Sequence, residues 1–334
     1  MSFRDREKKR LVPIKTQLFS NNACQPGKYR GKVYNFCLDN NCSRENLHES
    51  IRNAAIRYFK DRNIKWHDGI GGDQPSNHLC CSQSFCVNTW FPYTKKPKLL
   101  KHVLLALGYP VEQVLPFTAD QKVSDSDHSY VVFEWIGEKN YLGEHRAGKV
   151  AGDEGRNRGQ GFTSADFAFR FKRLDGKVQI VLGEWKYTET YSNKRSIKCS
   201  GKTDRLEIYK PELQKDDCPI NLGTIPFGAL FYDPFDQLMR LQLLAKAMER
   251  NKEMGVDIVS VLHIAPKANR GLINRITPPQ LASLGKDIHE VWGKIVNQNN
   301  FRGAYAEDLI DIVTKNAPDN KWGAYMNTRY RSMK

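Results

Sequence analysis

The chain lacks several features that would place it in common functional classes. No uninterrupted apolar run among its 334 residues approaches the roughly 18 residues of a membrane-spanning helix. The charged start, MSFRDREKKR, has no apolar stretch of the kind found in signal peptides. No G-x-x-x-x-G-K-S/T loop occurs, which argues against a built-in NTPase motor. We therefore expect a cytoplasmic protein with no membrane partner.

The sequence also lacks a C-x-x-C pair, the strongest signature of a zinc site. Its eight cysteines include two looser pairs, Cys37 with Cys42 and Cys81 with Cys86. A zinc or metal-cluster site that uses these pairs, or Cys80 with Cys81 and Cys86, remains an alternative. Buried, reduced thiols are the favoured interpretation in a cytoplasmic chain.

Acidic residues are few relative to basic ones. The chain has 37 Asp and Glu against 52 Lys and Arg, a formal net charge of +15. A folded protein with such an excess usually binds a polyanion, and nucleic acid, above all double-stranded DNA, is the first candidate. A membrane surface is less favoured, because no strongly basic amphipathic helix is evident. A solvated basic surface without a specific partner is the remaining alternative.

The length corresponds to about two domains, or to one large α/β domain with additions. The chain divides into four parts by pattern. Residues 1–44 contain turn signals such as QPGKYRG and are predicted to be an irregular basic segment. Residues 45–128 are predicted to be a helical N-terminal part, and residues 129–265 an α/β core. Residues 266–334 are predicted to be a helical extension that packs on this core.

The predicted core contains three consecutive strands, SYVVFEWIG, ADFAFRFKRL and KVQIVLGEWKYTE. Asp175-Gly176 marks a hairpin turn between the second and the third. A helix over about 233–252 and a buried strand in VDIVSVLHIAP follow. Helices are also predicted from Ser43 and from Pro97, whereas periodicity does not decide between helix and strand for LCCSQSFCVNTWF. This order predicts a small mixed β-sheet flanked by helices.

Three polar residues stand out on the second and third predicted strands. Glu184 and Lys186 are two residues apart and therefore point to the same face, and the hairpin can bring Asp166 across from them. Two carboxylates can hold Mg²⁺, which polarises a phosphoryl oxygen and lowers the pKa of a bound water. The lysine can orient that water or stabilise charge on phosphorus. This set suits metal-assisted cleavage of phosphodiester bonds.

The D/E-x-K pattern alone is weakly specific, because it occurs five times in the chain. Four of these occurrences lie in predicted tails, loops or a turn. Only Glu184-Trp185-Lys186 follows an apolar strand and has an aspartate, Asp166, on the preceding strand. The structural alternative is a cross-strand ion pair on a solvated sheet face, which contributes little to stability. The apolar strand VQIVLG argues against a solvated face.

The segments SADFAF and IVLGEWKYTE resemble the D…(D/E)xK signature of the PD-(D/E)xK nuclease superfamily, which has a restriction-endonuclease-like fold. HESIRNAAIRYF, SNHLCCSQSFCVN, FEWIGEKNYLGE and WGAYMNTRY look like a little-characterised bacterial group within it. The resemblance implies a Mg²⁺-dependent nuclease with its core at residues 129–265, Asp166 and Glu184 as metal ligands, and Lys186 as the catalytic lysine. The carbonyl of Trp185 would be a further ligand. Ala165 stands where the motif has its proline, which many members of the superfamily lack.

A fourth acidic residue often accompanies this motif, and Glu49 and Glu134 are both candidates. The alternative for each is an ordinary solvated glutamate. Gln83 and Asn88 are polar residues within an apolar stretch. Because buried amides need partners, they indicate either a structural network or a substrate contact.

Cations near the predicted catalytic edge are candidates for phosphate contacts. They lie in the glycine-rich stretch 137–161, in the basic insertion after the third strand, and on the following helix. The candidate DNA-binding residues are Arg146, Lys149, Arg156, Arg158, Lys194, Arg195 and Arg240. A mobile solvated loop is the alternative for the first two groups, and a helical ion pair with Asp236 for Arg240.

The sequence therefore predicts a restriction-endonuclease-like α/β fold with a helical N-terminal part. The predicted function is that of a Mg²⁺-dependent (or Mn²⁺-dependent) DNA endonuclease of restriction or defence type, which could act as a homodimer. A nucleic-acid-binding protein that kept the fold without cleavage is one alternative, and the cysteine-based metal protein is another.

Overall fold

The computed structural model describes residues 1–120, 128–146, 149–153, 156–159, 161–191, 204–331 and 333. Helices in this part of the chain are α1 Phe3–Leu18, α2 Glu49–Asp61, α3 Ser82–Trp90, α4 Pro97–Ala106, α5 Arg205–Leu213, α6 Phe235–Arg250, α7 Arg270–Ile273, α8 Ile288–Ile295, α9 Ala306–Lys315 and α10 Asn320–Met326. None of the helices formed by the described residues is long and apolar enough to cross a membrane.

Most of the strands belong to one sheet. The strands are β1 Gly27–Tyr29, β2 Lys32–Tyr34, β3 Val111–Leu115, β4 Val131–Trp135, β5 His145–Arg146, β6 Lys149–Val150, β7 Ala165–Arg173, β8 Val178–Trp185, β9 Ile258–Ala265 and β10 Phe301–Tyr305. In the six-stranded sheet β10, β9, β8 and β7 lie side by side, and β3 and β4 both pair with the other edge of β7. β8, β9 and β10 are mutually parallel and the other pairings are antiparallel.

Helices cover both faces of the sheet. One face carries Phe167, Phe169 and Phe171 of β7, which pack in one apolar cluster with side chains from α1 to α4, α9 and α10. The opposite face carries Ala168 and Leu182, which pack in a second cluster with side chains from α5, α6 and α8. Helices from both ends of the chain therefore cover the same face of the sheet.

The predicted fold class is confirmed: the chain forms a mixed sheet flanked by helices, with helices in the N-terminal part. The three consecutive strands become β4, β7 and β8, and the predicted helix over 233–252 becomes α6. LCCSQSFCVNTWF, which periodicity left open, contains α3, all but the first of whose residues are buried. The helix predicted from Ser43 begins instead at Glu49, because His48 caps it and a 3₁₀ turn precedes it.

The prediction of an irregular segment over 1–44 is wrong for its first part, which forms α1. The buried face of α1 has the helical spacing of four residues, but only Phe3 and Leu11 on it are apolar. Glu7 and Lys15 complete that face. The Lys15 ammonium donates to three backbone carbonyls, at 2.7 to 3.2 Å. A hydrophobic pattern could not reveal a face that is half charged.

Two further elements lie in segments for which the sequence predicted other structure. The C-terminal extension over 266–334 is mainly helical, but it also supplies β10, which pairs in parallel with β9 as the sheet edge. After the basic insertion that follows the third predicted strand, the chain forms α5, which starts at an Asp204 cap and was not predicted. β10 was not predicted because FRGAY is short and contains an interior glycine.

The close approach of β8 to β7 depends on Gly183. A Cβ at this position would lie 2.1 Å from the ring of Phe167, which is fully buried and stacks on Trp90 with ring centroids 4.9 Å apart. We expect Gly183→Ala to lower the free energy of unfolding by roughly 1–3 kcal/mol, because the ring has no space to move into. Urea denaturation measures the change.

Gly293→Ala is the matched control for this variant. Gly293 lies within α8, and an added Cβ meets nothing within 4 Å. This change should leave stability unaltered or raise it by about 0.5–1 kcal/mol, because alanine favours a helix over glycine. Equal stability of the two variants would contradict the proposed close packing at Gly183.

Candidate active site

The pairing of β7 with β8 brings Asp166 and Glu184 together. Phe167 pairs with Gly183, so the antiparallel register continued by one residue sets Asp166 opposite Glu184. Residues directly opposite in such a pair present their side chains on the same face. The backbone N–H of Trp185 donates to Asp166 Oδ2 at 2.6 Å, which fixes the carboxylate at the end of the two strands.

Lys186 completes this cluster. Its Nζ lies 2.7 Å from Glu184 Oε1, and both residues are buried. The backbone N–H of Lys186 donates to the carbonyl of Ile264 on β9, which extends the sheet past the end of β8. Burial opposes the ammonium charge, but Glu184 and the neighbouring acidic groups outweigh it and raise the pKa of Lys186. The lysine is therefore a charged donor at neutral pH.

Glu134 reaches the same place from β4. Its φ of 51° departs from strand geometry, and no ladder partner in β7 is assigned to it, although the register is the same on both sides of it. The carboxylate accepts hydrogen bonds from Gln83 Nε2 and Ser164 Oγ, both at 2.9 Å. His67 Nε2 lies 3.3 Å from Glu134 Oε1, and this hydrogen bond raises the pKa of His67.

Negative charge accumulates at Asp166. Burial raises the pKa of this carboxyl well above its ordinary value, and the charges of Glu184 and Glu134 raise it further. Lys186 and the Trp185 N–H act in the opposite direction without cancelling the effect. A carboxylate in such surroundings gains from a nearby cation, since the cation offsets both the repulsion and the loss of solvent.

The cluster opens into a cavity of about 260 Å³. The strands and the loop before β7 form one wall and α6 forms the other. The lining residues are His67, Ser82, Glu134, Gly159, Gly161, Phe162, Thr163, Ser164, Asp166, Glu184, Trp185, Lys186, Gln237, Arg240 and Leu241. The predicted catalytic residues therefore share one cavity with Glu134 and Arg240.

Arg240 is held at the cavity wall by two contacts. Its Nε lies 3.2 Å from Asp236 Oδ2, the helical ion pair considered as an alternative, and its Nη1 donates to Thr163 Oγ1 at 3.3 Å. The N–H and hydroxyl of Thr163 both donate to buried Glu144, at 2.9 and 2.5 Å. Tyr209 donates to the same carboxylate at 2.7 Å. This network orients a cation beside the carboxylate cluster.

The donor set of the cluster suits a hard divalent cation. Asp166 and Glu184 offer carboxylate oxygens, while the oxygens of Glu134 are already engaged by Gln83, Ser164 and His67. Among the described residues no group of three or more His, Cys, Asp or Glu side chains is arranged to hold a metal ion. Two carboxylates fit Mg²⁺ better than zinc, because Mg²⁺ usually keeps several water ligands.

The described cysteines are the candidates for the alternative zinc or metal-cluster site. All described cysteines are free, and none contributes to a metal-binding group within the described part of the chain. Burial raises the pKa of the Cys80, Cys81 and Cys86 thiols, which keeps them protonated. Protonated, buried thiols are poor metal ligands.

The structure separates the two candidates for a fourth acidic residue. Glu134 lies in the cavity, whereas Glu49 is exposed at the start of α2 and lines a different cavity beside α10. Gln83 and Asn88 also separate. Gln83 supports Glu134, whereas Asn88 belongs to a structural network in which its side chain accepts from the N–H of His48.

Besides Arg240, two of the candidate DNA-binding cations have structural partners. Arg156 donates to the carbonyls of Ile136 and Gly137 at 3.1 and 3.0 Å. Arg158 Nη1 lies 2.5 Å from Oδ1 of fully buried Asp120. These contacts link residues 156–159 to the segments that follow β3 and β4, so both arginines have protein partners. Contact of either arginine with DNA remains a prediction.

The remaining candidate cations lie partly or wholly outside the part of the chain that the structure describes. Lys149 is exposed on β6, and Arg146 lies on β5, where its side chain is outside the described part. Lys194 and Arg195 lie outside the described residues. His67, Ser164, Thr163 and Glu144 were not predicted as site residues. The only sequence signal close to any of them was the SADFAF segment. Hydrogen bonds between segments that are far apart in the chain produce no recognisable spacing of residues in the sequence.

The described part of the chain thus combines a mixed α/β fold with a buried carboxylate–lysine cluster at the ends of β7 and β8. A family model described as restriction endonuclease associating with ARP matches residues 14–331. Since the match covers nearly the whole chain, the protein belongs to this family. No curated protein and no solved structure gave a match. Membership of this family indicates a nuclease or defence role.

The raised pKa of Asp166 has a consequence for stability. A carboxyl whose pKa is higher in the folded state contributes stability at low pH and loses it as pH rises through that pKa. In EDTA at pH 8 we therefore expect Asp166→Asn to unfold at a higher temperature than the unchanged protein, by roughly 0.5–2 kcal/mol in free energy. The difference should shrink towards pH 4, where Asp166 is protonated.

Thermal unfolding from pH 4 to 8 measures this difference. Asp175→Asn is the control, because this exposed carboxyl has a lowered pKa through its contact with Arg173. It should destabilise slightly or have no effect. A lower unfolding temperature for Asp166→Asn across the whole pH range would show that like-charge repulsion at the cluster is unimportant.

Proposed function

We propose that the protein is a divalent-metal-dependent nuclease of the PD-(D/E)xK type, with Asp166, Glu184 and Lys186 as its catalytic residues. The observation that carries the proposal is the convergence of these side chains at the ends of β7 and β8, inside a cavity. Lys186 Nζ lies 2.7 Å from Glu184 Oε1, and the adjacent Trp185 N–H donates to Asp166. A solvated surface ion pair would have neither this burial nor this acidic neighbourhood.

In this proposal Asp166 and Glu184 hold Mg²⁺ (or Mn²⁺), with the carbonyl of Trp185 as a further ligand. The metal would lower the pKa of a bound water and polarise a phosphoryl oxygen. Lys186 is charged, so it acts as a donor that orients the attacking water or stabilises charge on the phosphorus rather than as a general base. The Trp185 N–H and the Glu184–Lys186 contact keep the carboxylates in place as substrate enters.

Arg240 has the position of a phosphate ligand in this scheme. It shares the cavity with the carboxylates, and Asp236 and Thr163 fix its guanidinium at the wall. A planar guanidinium can bind two oxygens of one phosphate. Glu134 stays hydrogen-bonded to Gln83 and Ser164 and shapes the cavity charge from the opposite side.

Double-stranded DNA is the proposed substrate, in an endonuclease of restriction or defence type. The net charge of +15 favours a polyanion, and the family description refers to restriction endonucleases. The family description also refers to association with ARP, and we include such an association in the proposal. Plasmid, single-stranded DNA and RNA incubated with Mg²⁺ or with EDTA test both the activity and the choice of substrate.

We expect cleavage of plasmid DNA in Mg²⁺ and none in EDTA, because Asp166 and Glu184 need the cation. Asp166→Asn should abolish both cleavage and the heat of Mn²⁺ binding in calorimetry. A protein that binds DNA but never cleaves it would instead be the non-cleaving relative considered above. Full cleavage in EDTA would rule out the proposed metal dependence.

Lys186→Ala separates the role of the lysine from that of the metal ligands. We expect at least a 10²–10⁴-fold loss of cleavage, the usual contribution of such a group, with Mn²⁺ and DNA binding retained. Lys186→Arg should not restore cleavage, because a planar fork replaces a point charge. Cleavage rates and calorimetry on the same preparations measure both properties.

The control is Lys172→Ala, which removes a lysine from the exposed end of β7, where it pairs with Glu112 at 3.0 Å. Cleavage by this variant should match that of the unchanged protein. If Lys186→Ala unfolds the protein, and the loss of cleavage is no larger than the unfolded fraction explains, Lys186 is only a structural partner of Glu184.

A further inference from the structure

A second cavity, of about 270 Å³, adjoins the catalytic one. His67 and Ser82 line both cavities, so the two share a wall. The second cavity also contains Thr188 and Glu189, which follow Lys186 along the chain. Its remaining walls come from α1, the β1–β2 hairpin and the segment before α3. A chain-like substrate that passes Lys186 would therefore meet this cavity next.

Cations converge on the second cavity from two separate elements. Arg4 and Lys8 lie one helical turn apart on α1, and Arg30 lies at the tip of the β1–β2 hairpin. Arg4 Nε donates to the carbonyl of Thr188 at 2.9 Å, which fixes the guanidinium against the chain that leaves the catalytic site. Within the described residues no carboxylate lies within ion-pair distance of Arg4 or Lys8. The ammonium of Lys8 lies 4.7 Å from the ring centre of Phe36.

The acidic residues of this cavity are already engaged. Asp68 accepts from the hydroxyl of Tyr29 at 2.6 Å and from Arg30 at 3.2 Å. Glu189 accepts from the N–H of Tyr187 at 2.6 Å. Arg30 balances the charge of Asp68, which among the described lining residues leaves the single charge of Glu189 against the two charges of Arg4 and Lys8. The cavity therefore offers cations to an anion that enters from the catalytic side.

His78 adds a neutral polar group to the cavity. Burial, together with the charges of Lys8 and Arg4, lowers the pKa of His78 to about 4. The N–H of Cys80 donates to His78 Nδ1, so in the neutral ring the proton lies on Nε2. The start of α3 at Ser82 also directs its positive end towards this region. Each feature favours an anionic group over a cationic one.

We propose that this second cavity is a phosphate-binding subsite for the nucleotide next to the cleaved bond, with Lys8 and Arg4 as its cationic ligands. The proposal rests on the nuclease function proposed above. Because His67 and Ser82 line both cavities, the subsite lies directly beside the catalytic cavity, where a neighbouring nucleotide of the bound strand would lie. The phosphate can be an internal backbone phosphate or a 5′-terminal phosphate, which carry the same chemistry. Such a subsite would fix which bond of the strand lies beside Lys186.

Lys8→Gln tests the subsite, and Lys9→Gln is its matched control. Both changes remove one positive charge from α1, but Lys9 is exposed and does not line the cavity. Fluorescence anisotropy in EDTA measures binding of a short oligonucleotide without cleavage. With a short DNA duplex, Lys8→Gln should weaken binding roughly tenfold and reduce the salt slope by about 0.9, the value for one phosphate contact on double-stranded DNA. Lys9→Gln should change neither quantity by a comparable amount.

Oligonucleotides with a 5′-phosphate or a 5′-hydroxyl distinguish the two sources. If removal of the terminal phosphate weakens binding to the unchanged protein but not to the Lys8→Gln variant, the subsite binds a terminal phosphate. Equal binding of both oligonucleotides, with the Lys8→Gln effect retained, assigns it to a backbone phosphate. Equal effects of Lys8→Gln and Lys9→Gln on affinity and salt slope would overturn the proposal.

Inorganic phosphate provides a second measurement that does not depend on nucleic acid. It should raise the unfolding temperature of the unchanged protein and of Lys9→Gln, but raise that of Lys8→Gln less. An equal rise in all three proteins would also overturn the proposal. Since these measurements use no cleavage, a failure of the subsite is distinguishable from a failure of the nuclease function. The latter appears as absent cleavage in Mg²⁺ with phosphate binding intact.

Discussion

The antiparallel pairing of β7 with β8 is the constraint on which the rest of the structure depends. It sets Asp166 opposite Glu184 and aims the Trp185 N–H at the first of these carboxylates. The two strands approach so closely that any side chain at position 183 would clash with the ring of Phe167. The same pairing buries an acidic cluster, which is unfavourable unless a cation is near. The strands thus create both the site and its requirement for positive charge.

Segments far apart in the sequence meet that requirement. Lys186 contributes an ammonium from the end of β8 itself, and Arg240 contributes a guanidinium from α6 on one face. From the other face α3 supplies Gln83, which donates to Glu134. The N-terminal helices are therefore part of the site as well as of the core. Their removal would leave Glu134 buried without one of its donors, which costs about 1–3 kcal/mol.

The large positive charge of the chain does not by itself locate a binding surface. Some of the positively charged side chains stabilise the fold. Lys15 and Arg156 donate to backbone carbonyls, and Arg158 pairs with a buried aspartate. Other cations line the two adjoining cavities. Arg240 lies in the cavity that holds the carboxylate cluster, and Lys8 lies in the neighbouring cavity, which has more cations. A polyanion that spans both cavities would meet the carboxylates proposed to bind metal in one and positive side chains in the other.

The local sequence pattern was sufficient to predict the strands, the hairpin and α6. It also singled out Asp166, Glu184 and Lys186, because strand periodicity and a tight turn fix which side chains share a face. Only the tertiary structure decided between Glu134 and Glu49, and it alone revealed α1 and the partners of Arg158. Those features depend on contacts between segments that lie far apart along the chain. A charged residue on a buried face has the same local pattern as a solvated one, so its role is set by the partner that the fold brings to it.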